Sequence, residues 1–236
     1  MFVNYAHRGA STYYPENTLS SFYAGVFMGA NGIETDVHRT KDGVLVLFHD
    51  DALDRVTDGH GPVSGCTYDE LARLTVFNAD YGRADKITTL EDFLRYFGWR
   101  DLTFAVELKQ EGVEKETIDL LNRYRMRDKT ILTSFTFENI ARAREIDPGY
   151  KVGYLFGPKN TDDPVSRLRS IGGEQLCPRA DMLTKEWVGE MHRLGFSVRA
   201  WGVKDEAMMA HAVLCGADGM TVNFPDKLHE YLNGQR

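Results

Sequence analysis

Short apolar runs alternate with helix-spaced patterns along almost the whole chain, at 2–6, 32–37, 44–48, 102–108, 130–133, 151–155, 175–177, 197–201 and 219–222. Such alternation implies strands paired in parallel through helical crossovers, and 236 residues suit a (β/α)8 barrel. Nine runs are one too many for eight barrel strands. The gap between the second and third, HRTKDG, is far shorter than the dozen or more residues a parallel crossover needs, so these two runs must form an antiparallel hairpin turning at Lys41, Asp42 and Gly43. The expected fold class is therefore α/β: a single TIM-barrel domain over 1–236 with an antiparallel hairpin and, at about 51–87, a small helical or irregular insertion after the second barrel strand.

Helical spacing is clear at Leu19, Phe22 and Val26 and at Leu90, Phe93, Leu94 and Phe97, where Thr88 and Glu91 read as a capping box. Further amphipathic stretches cover 113–124, 137–144, 183–194 and 207–215. Trp187, Met191 and Leu194 read as core-facing, and Trp99 as packing at a helix end. His60, His192, His211 and His229 read as surface residues.

The hairpin decides where the polar residues meet. Glu34 and Asp36 lie two apart on one strand, so their side chains share a face with Cα atoms roughly 7 Å apart. The returning run brings His49 back opposite residues 34 to 36. His7 and Glu107 end the first run and the run LTFAVELK, and barrel enzymes keep their chemistry at strand C-terminal ends. His38 shares the face of Asp36 but falls beyond the rim, where it is expected to be solvated rather than a further ligand. Trp201, also at a strand end, either touches ligand or packs.

Three carboxylates at one mouth repel one another, by about 4 kcal/mol for a pair 4 Å apart at an effective dielectric of 20. A positive partner is needed. An all-oxygen set favours a hard cation, Mg2+ or Ca2+, over zinc. Arg8 and Lys109 add fixed positive charge at the same rim, and arginine suits two-point recognition of a phosphate. A metal, a phosphate grip and two histidines point to phosphoester chemistry. Any phosphate is gripped locally, because 28 basic against 35 acidic residues give a net charge of −7, no field for nucleic acid or an anionic membrane. No run approaches the ~18 apolar residues of a membrane span, and Cys66, Cys177 and Cys215 have neither disulfide nor zinc spacing. A cytoplasmic protein without stable membrane insertion is expected, with assembly into a homo-oligomer left open.

The segments AHRGAS, PENT, ETDVHRTKDGVLVLFHD, LDRVTDGHGPVS, AVELK, TSF and WGV follow one another in this order over nearly the whole chain. In that series the sequence resembles the glycerophosphodiester phosphodiesterase family, metal-dependent barrels related to phosphatidylinositol-specific phospholipases C. The resemblance implies that His7 and His49 are the catalytic general acid/base pair and that Glu34, Asp36 and Glu107 hold the metal. It also implies that Arg8 and Lys109 contact the phosphoryl group, that Glu16 and Asn17 brace the first loop, and that Trp201 lines the substrate pocket. The implied reaction is hydrolysis of a small-molecule glycerophosphodiester to glycerol 3-phosphate and an alcohol, the glycerol 2-hydroxyl attacking first to give a cyclic phosphate that water opens.

The chain departs from the family at Gly202, where Thr is common, and at Asn223, where Asp is common, two positions with no expected ligand role. Two other readings use the same site. One is lysophospholipase D activity, for which Tyr13, Tyr14, Val76 and Phe77 are the rim candidates to meet an acyl chain. The other is a non-catalytic barrel that binds a phosphodiester, against which stands the presence of both histidines and all three acids.

Overall fold

A computed structural model describes residues 2–159 and 163–234. Eleven strands run in chain order as β1 Val3–His7, β2 Gly32–Arg39, β3 Leu45–Leu47, β4 Val76–Asn78, β5 Arg83–Asp85, β6 Thr103–Leu108, β7 Thr130–Ser134, β8 Lys151–Phe156, β9 Gln175–Pro178, β10 Ser197–Ala200 and β11 Gly219–Val222. Eight of them, β1, β2 and β6 to β11, pair in parallel, and β1 meets both β2 and β11, which closes the barrel. All nine expected runs are strands, displaced by one or two residues at their ends.

The hairpin lies on β2. β3 pairs antiparallel with it in the register Val37 to Leu47 and His38 to Val46. Gly43, at φ 88°, makes the turn, and the Thr40 hydroxyl fixes it by donating to Asp42 Oδ1 at 2.6 Å while accepting from the Val44 N–H at 2.9 Å. A side chain other than glycine would be strained at that backbone angle.

Strand alternation splits β2 between two environments. Ile33 and Val37 turn outward into the main apolar core with Phe22, Phe93 and Phe104, whose rings meet edge to face at 4.8 and 5.6 Å. Glu34 and Asp36 consequently turn inward. Burying the outward face fixes the register, because a one-residue slip would exchange the two sets.

The excursion after β3 carries more structure than its sequence suggests. It holds a short helix, Tyr68–Leu71, with a Thr67/Glu70 capping box, and the antiparallel pair β4 and β5. Val46 and Phe48 join Leu53, Val63, Leu71, Val76 and Ile87 in a second apolar cluster, which fastens the excursion to the returning strand of the hairpin.

Several local expectations are corrected. The helix Leu90–Phe97 is capped one residue later than expected, by Thr89 accepting from the Asp92 N–H, while the Thr89 hydroxyl donates to Asp92 Oδ2 at 2.9 Å. Met191 is buried, but Leu194 lies past the last helical turn and is 44% exposed, and Trp99 is 72% exposed with Arg100 4.8 Å over its ring. Helices Pro164–Ser170 and Pro225–Gly234 add to the expected set, the latter with Leu228, Tyr231 and Leu232 at helical spacing against the core. No helix among the described residues is long and apolar enough to cross a membrane.

Candidate active site

The HRG turn at the end of β1 is built by backbone that few residues tolerate. Arg8 and Gly9 are both left-handed, at φ 55° and 87°, and the Arg8 N–H donates to the Glu34 carbonyl at 2.9 Å. A Cβ on Gly9 would lie 2.3 Å from Ser21 Oγ and 2.4 Å from the Ser21 carbonyl carbon. Glycine is therefore required where the first loop passes under helix Leu19–Phe27.

The PENT segment closes that loop onto the site. Asn17, itself left-handed at φ 57° and buried, donates through Nδ2 to Asp36 Oδ2 at 2.9 Å and accepts from the Thr35 hydroxyl at 2.8 Å. Glu16 accepts from Arg8 Nη1 at 2.9 Å. Thr18 caps the following helix.

At the centre, Glu34, Asp36 and Glu107 each offer an oxygen within 4.8 Å of the others. Register explains the meeting, since Asp36 lies beside Glu107 and Glu34 beside His7 on neighbouring strands. Lys109 Nζ sits 2.9 Å from Glu107 Oε1 and 3.8 Å from Asp36 Oδ1, and Arg8 Nε is 3.2 Å from Asp36 Oδ2. Burial and the charges of Asp36 and Glu107 push Glu34 well above the usual carboxylate range. Burial likewise raises Glu107, against the pull of Lys109. Asp36 is just as buried, yet Arg8 and Lys109 outweigh that and bring it down to about 2.

Glu34 Oε2 and Asp36 Oδ1 are buried without a hydrogen-bond partner among the described residues. Two unpartnered carboxylate oxygens in a cluster of three acids are costly unless a cation meets them. The donor set is all oxygen, which fits a hard divalent ion such as Mg2+ or Ca2+.

The two histidines stand at the same mouth, each oriented from behind. His7 Nδ1 meets Asn223 Oδ1 at 2.5 Å, and its Nε2 faces Glu34 Oε2 at 3.8 Å. His49 Nδ1 meets Asp50 Oδ1 at 2.5 Å. Both partner oxygens can only accept, so each ring carries a proton on Nδ1, and Nε2 is the nitrogen left to take up or give a proton. Burial, then the neighbouring Arg8 guanidinium, push His7 down to about 3, so its ring is neutral at neutral pH. The departure at Asn223 thus bears directly on His7.

His38 is not solvated. It is 3% exposed, its Nε2 lies 3.4 Å from the His49 carbonyl oxygen, and burial lowers its pKa. It stands outside the carboxylate cluster and supports the loop that carries His49. Sequence spacing located its face correctly but gave no sign that the excursion would cover it.

A cleft of about 480 Å3 brings together His7, Arg8, Glu34, His49, Glu107 and Trp201. Its apolar wall is Phe135, Leu155, Trp201 and Val203, not the expected rim set. Of that set Val76 is buried in the excursion, Tyr13 donates to Asp226, and Tyr14 is stacked under Arg83 at 3.9 Å. Trp201 is held by donating from Nε1 to the Phe156 carbonyl at 3.0 Å and by Phe135 edge-on at 4.9 Å.

Three further residues were missed. Asp50 and Arg55 lie inside quoted motifs, but only the tertiary fold shows what they touch. Arg199 is 1% exposed at the cleft floor, bonded to Gln175 Oε1 at 3.0 Å and Thr221 Oγ1 at 2.6 Å, a cation without an ion pair among the described residues.

The sequence model of the glycerophosphoryl diester phosphodiesterase family matches residues 7–227. A glycerophosphodiester phosphodiesterase of Bacillus altitudinis is 30% identical, over 94% of this chain and 95% of its own. One from Caldanaerobacter subterraneus is 29% identical, over 94% of each. Among solved structures, an Oleispira antarctica phosphodiesterase in complex with the product sn-glycerol-3-phosphate superposes with a TM-score of 0.87 at 27% identity, covering 97% of this chain and 96% of that one.

Proposed function

The chain belongs to the glycerophosphoryl diester phosphodiesterase family, enzymes that hydrolyse glycerophosphodiesters, and on that premise we propose how its own residues divide the work of releasing glycerol 3-phosphate and an alcohol. Glu34, Asp36 and Glu107 would hold Mg2+ or Ca2+, which when bound polarises a phosphoryl oxygen. The two unpartnered carboxylate oxygens are the observation that carries this reading.

Arg8 and Lys109 offset charge building on the phosphoryl oxygens, where an already oriented cation is worth most. His7, neutral and backed by an amide, takes the proton from the attacking hydroxyl through Nε2. His49, held through Nδ1 by the Asp50 carboxylate, gives a proton from Nε2 to the leaving alcohol. The attacking oxygen is the glycerol 2-hydroxyl: its bond to phosphorus forms as the bond to the alcohol oxygen breaks. Water then opens the cyclic phosphate with the roles of the two rings reversed. Trp201 lines the substrate pocket.

Residues 1–236 act as one catalytic domain in which the segment at about 51–87 reaches the site residues' partners Asp50 and Glu16 through Arg55, and the three unpaired thiols suit a cytoplasmic location. The test is product analysis with glycerophosphocholine or glycerophosphoethanolamine against a long-chain lysophospholipid. Glycerol 3-phosphate released with the higher kcat/KM from the short diesters supports the reading. A preference for the lysolipid would replace it with lysophospholipase D activity, and binding without turnover would leave a phosphodiester sensor.

A further inference from the structure

Arg55 belongs to the excursion, not to the barrel, yet its guanidinium reaches two carboxylates that stand behind two different site residues. Its Nε donates to Asp50 Oδ2 at 2.5 Å, while Nη1 and Nη2 donate to Glu16 Oε2 and Oε1 at 2.9 and 2.7 Å. The other oxygen of Asp50 holds His49 Nδ1. Glu16 Oε1 also accepts from Arg8 Nη1, and Arg8 Nε faces Asp36. One side chain thus closes an unbroken path from His49 through Asp50, Arg55, Glu16 and Arg8 to Asp36.

We propose that Arg55 is a positioning residue that sets His49 and Arg8 at the same time, so that the excursion serves the reaction by fixing the leaving-group side and the phosphate grip relative to each other. This rests on the roles given to His49 and Arg8 above. Stability alone is a poor account of the arrangement. The Arg55 side chain is 47% exposed, and exposed ion pairs contribute little to folding. What a guanidinium adds is geometry, since its planar fork binds Glu16 at two points and Asp50 at a third in one fixed plane.

The backbone of Arg55 is correspondingly well held. Leu53 is buried in the second apolar cluster with Phe48, the residue before His49, and the Phe77 N–H donates to the Val56 carbonyl at 2.8 Å. The same cluster therefore anchors the chain beside His49 and beside Arg55. Misplacing a reacting group by about 1 Å can cost 100-fold in rate, so a brace of this kind acts on turnover far more than on folding.

The test is a set of double-mutant cycles on the full chain with Mg2+ and glycerophosphocholine, with thermal midpoints measured in parallel. Arg55→Ala is expected to lower kcat at least 10-fold and raise KM several-fold with little change in midpoint. Asp50→Asn should reproduce part of the kcat loss with KM unchanged, and Glu16→Gln the remaining part together with the rise in KM. In a His49→Ala background the kcat penalty of Arg55→Ala should shrink at least 3-fold, to the part that acts through Arg8, because one of the two groups it positions is gone. Arg55→Lys, whose single ammonium cannot span both carboxylates, keeps the charge in case the alanine variant unfolds, and should lose at least 5-fold in kcat/KM. Undiminished penalties in the His49→Ala background, or full activity of Arg55→Lys, would overturn the proposal. A His49→Ala enzyme with normal kcat would instead show that the acid/base reading has failed, and the proposal with it.

Discussion

Asn17 donates to one oxygen of Asp36 and leaves the other without a hydrogen bond, with Lys109 Nζ 3.8 Å from it. Oδ2 receives the Asn17 amide at 2.9 Å, and Oδ1 has no hydrogen-bond partner among the described residues. The carboxylate is thereby locked in one plane with its second oxygen presented to the cluster. Asn17→Ala should destabilise the protein by about 1–3 kcal/mol, because buried Asp36 and Thr35 lose a partner together and alanine must adopt a left-handed backbone. Chemical denaturation checks the stability, and a weaker apparent affinity for the activating cation checks the orientation. A variant unchanged in both would show that the bond is incidental.

Gly9→Ala tests the first turn. Its Cβ would fall 2.3 Å from Ser21 Oγ and 2.4 Å from the Ser21 backbone at φ 87°, so the loop or the helix must move. A loss of more than about 2 kcal/mol is expected from clash and backbone strain together. A melting temperature within a degree of the parent would mean that the turn is free to rearrange.

Removing the cation should act on folding and turnover together. Three buried acids faced by Arg8 and Lys109 are held at a cost without a cation: burial first, and then the neighbouring carboxylates, raise Glu34 and Glu107 above the usual carboxylate value. Exhaustive chelation should abolish activity and lower the thermal midpoint, and Mg2+ or Ca2+ should restore both. Full turnover after chelation would rule out the metal-dependent reading.

The histidines should separate cleanly. His7→Ala and His49→Ala are each expected to lower kcat by about 100-fold to 10,000-fold, the usual worth of a general acid or base, with folding retained. His38→Ala should behave differently. It removes a buried ring and frees the His49 carbonyl, so the main loss falls on the thermal midpoint and the kcat deficit stays much smaller. A His38→Ala deficit equal to that of His49→Ala would assign the ring to the chemistry itself.

The nucleophile can be read from a substrate analogue lacking the glycerol 2-hydroxyl. A tethered hydroxyl has effective molarities of about 100,000 M or more over a free competitor. Cleavage should slow by at least ~100-fold, about 2.7 kcal/mol in the barrier, in single turnover at saturation. Binding is measured separately, and phosphorus resonance should show a transient cyclic species with the parent substrate. Equal rates without that species would assign the attack to water.

The eight-stranded barrel and the hairpin were both legible in the chain, because parallel crossovers need length and HRTKDG does not provide it. Strand alternation likewise placed Glu34 and Asp36 on one face, and strand ends placed His7 and Glu107 at one mouth, since a period of two is a local property of the backbone. The partners behind those residues were not local. Asn223 reaches His7 across 216 positions and Arg55 reaches Glu16 across 39, contacts that exist only once the barrel closes and the excursion folds down. The burial of His38 and the exposure of Trp99 and Leu194 were decided in the same way. Whether a side chain is covered depends on what packs against its element, and that is decided by the tertiary fold rather than by the local period of the chain.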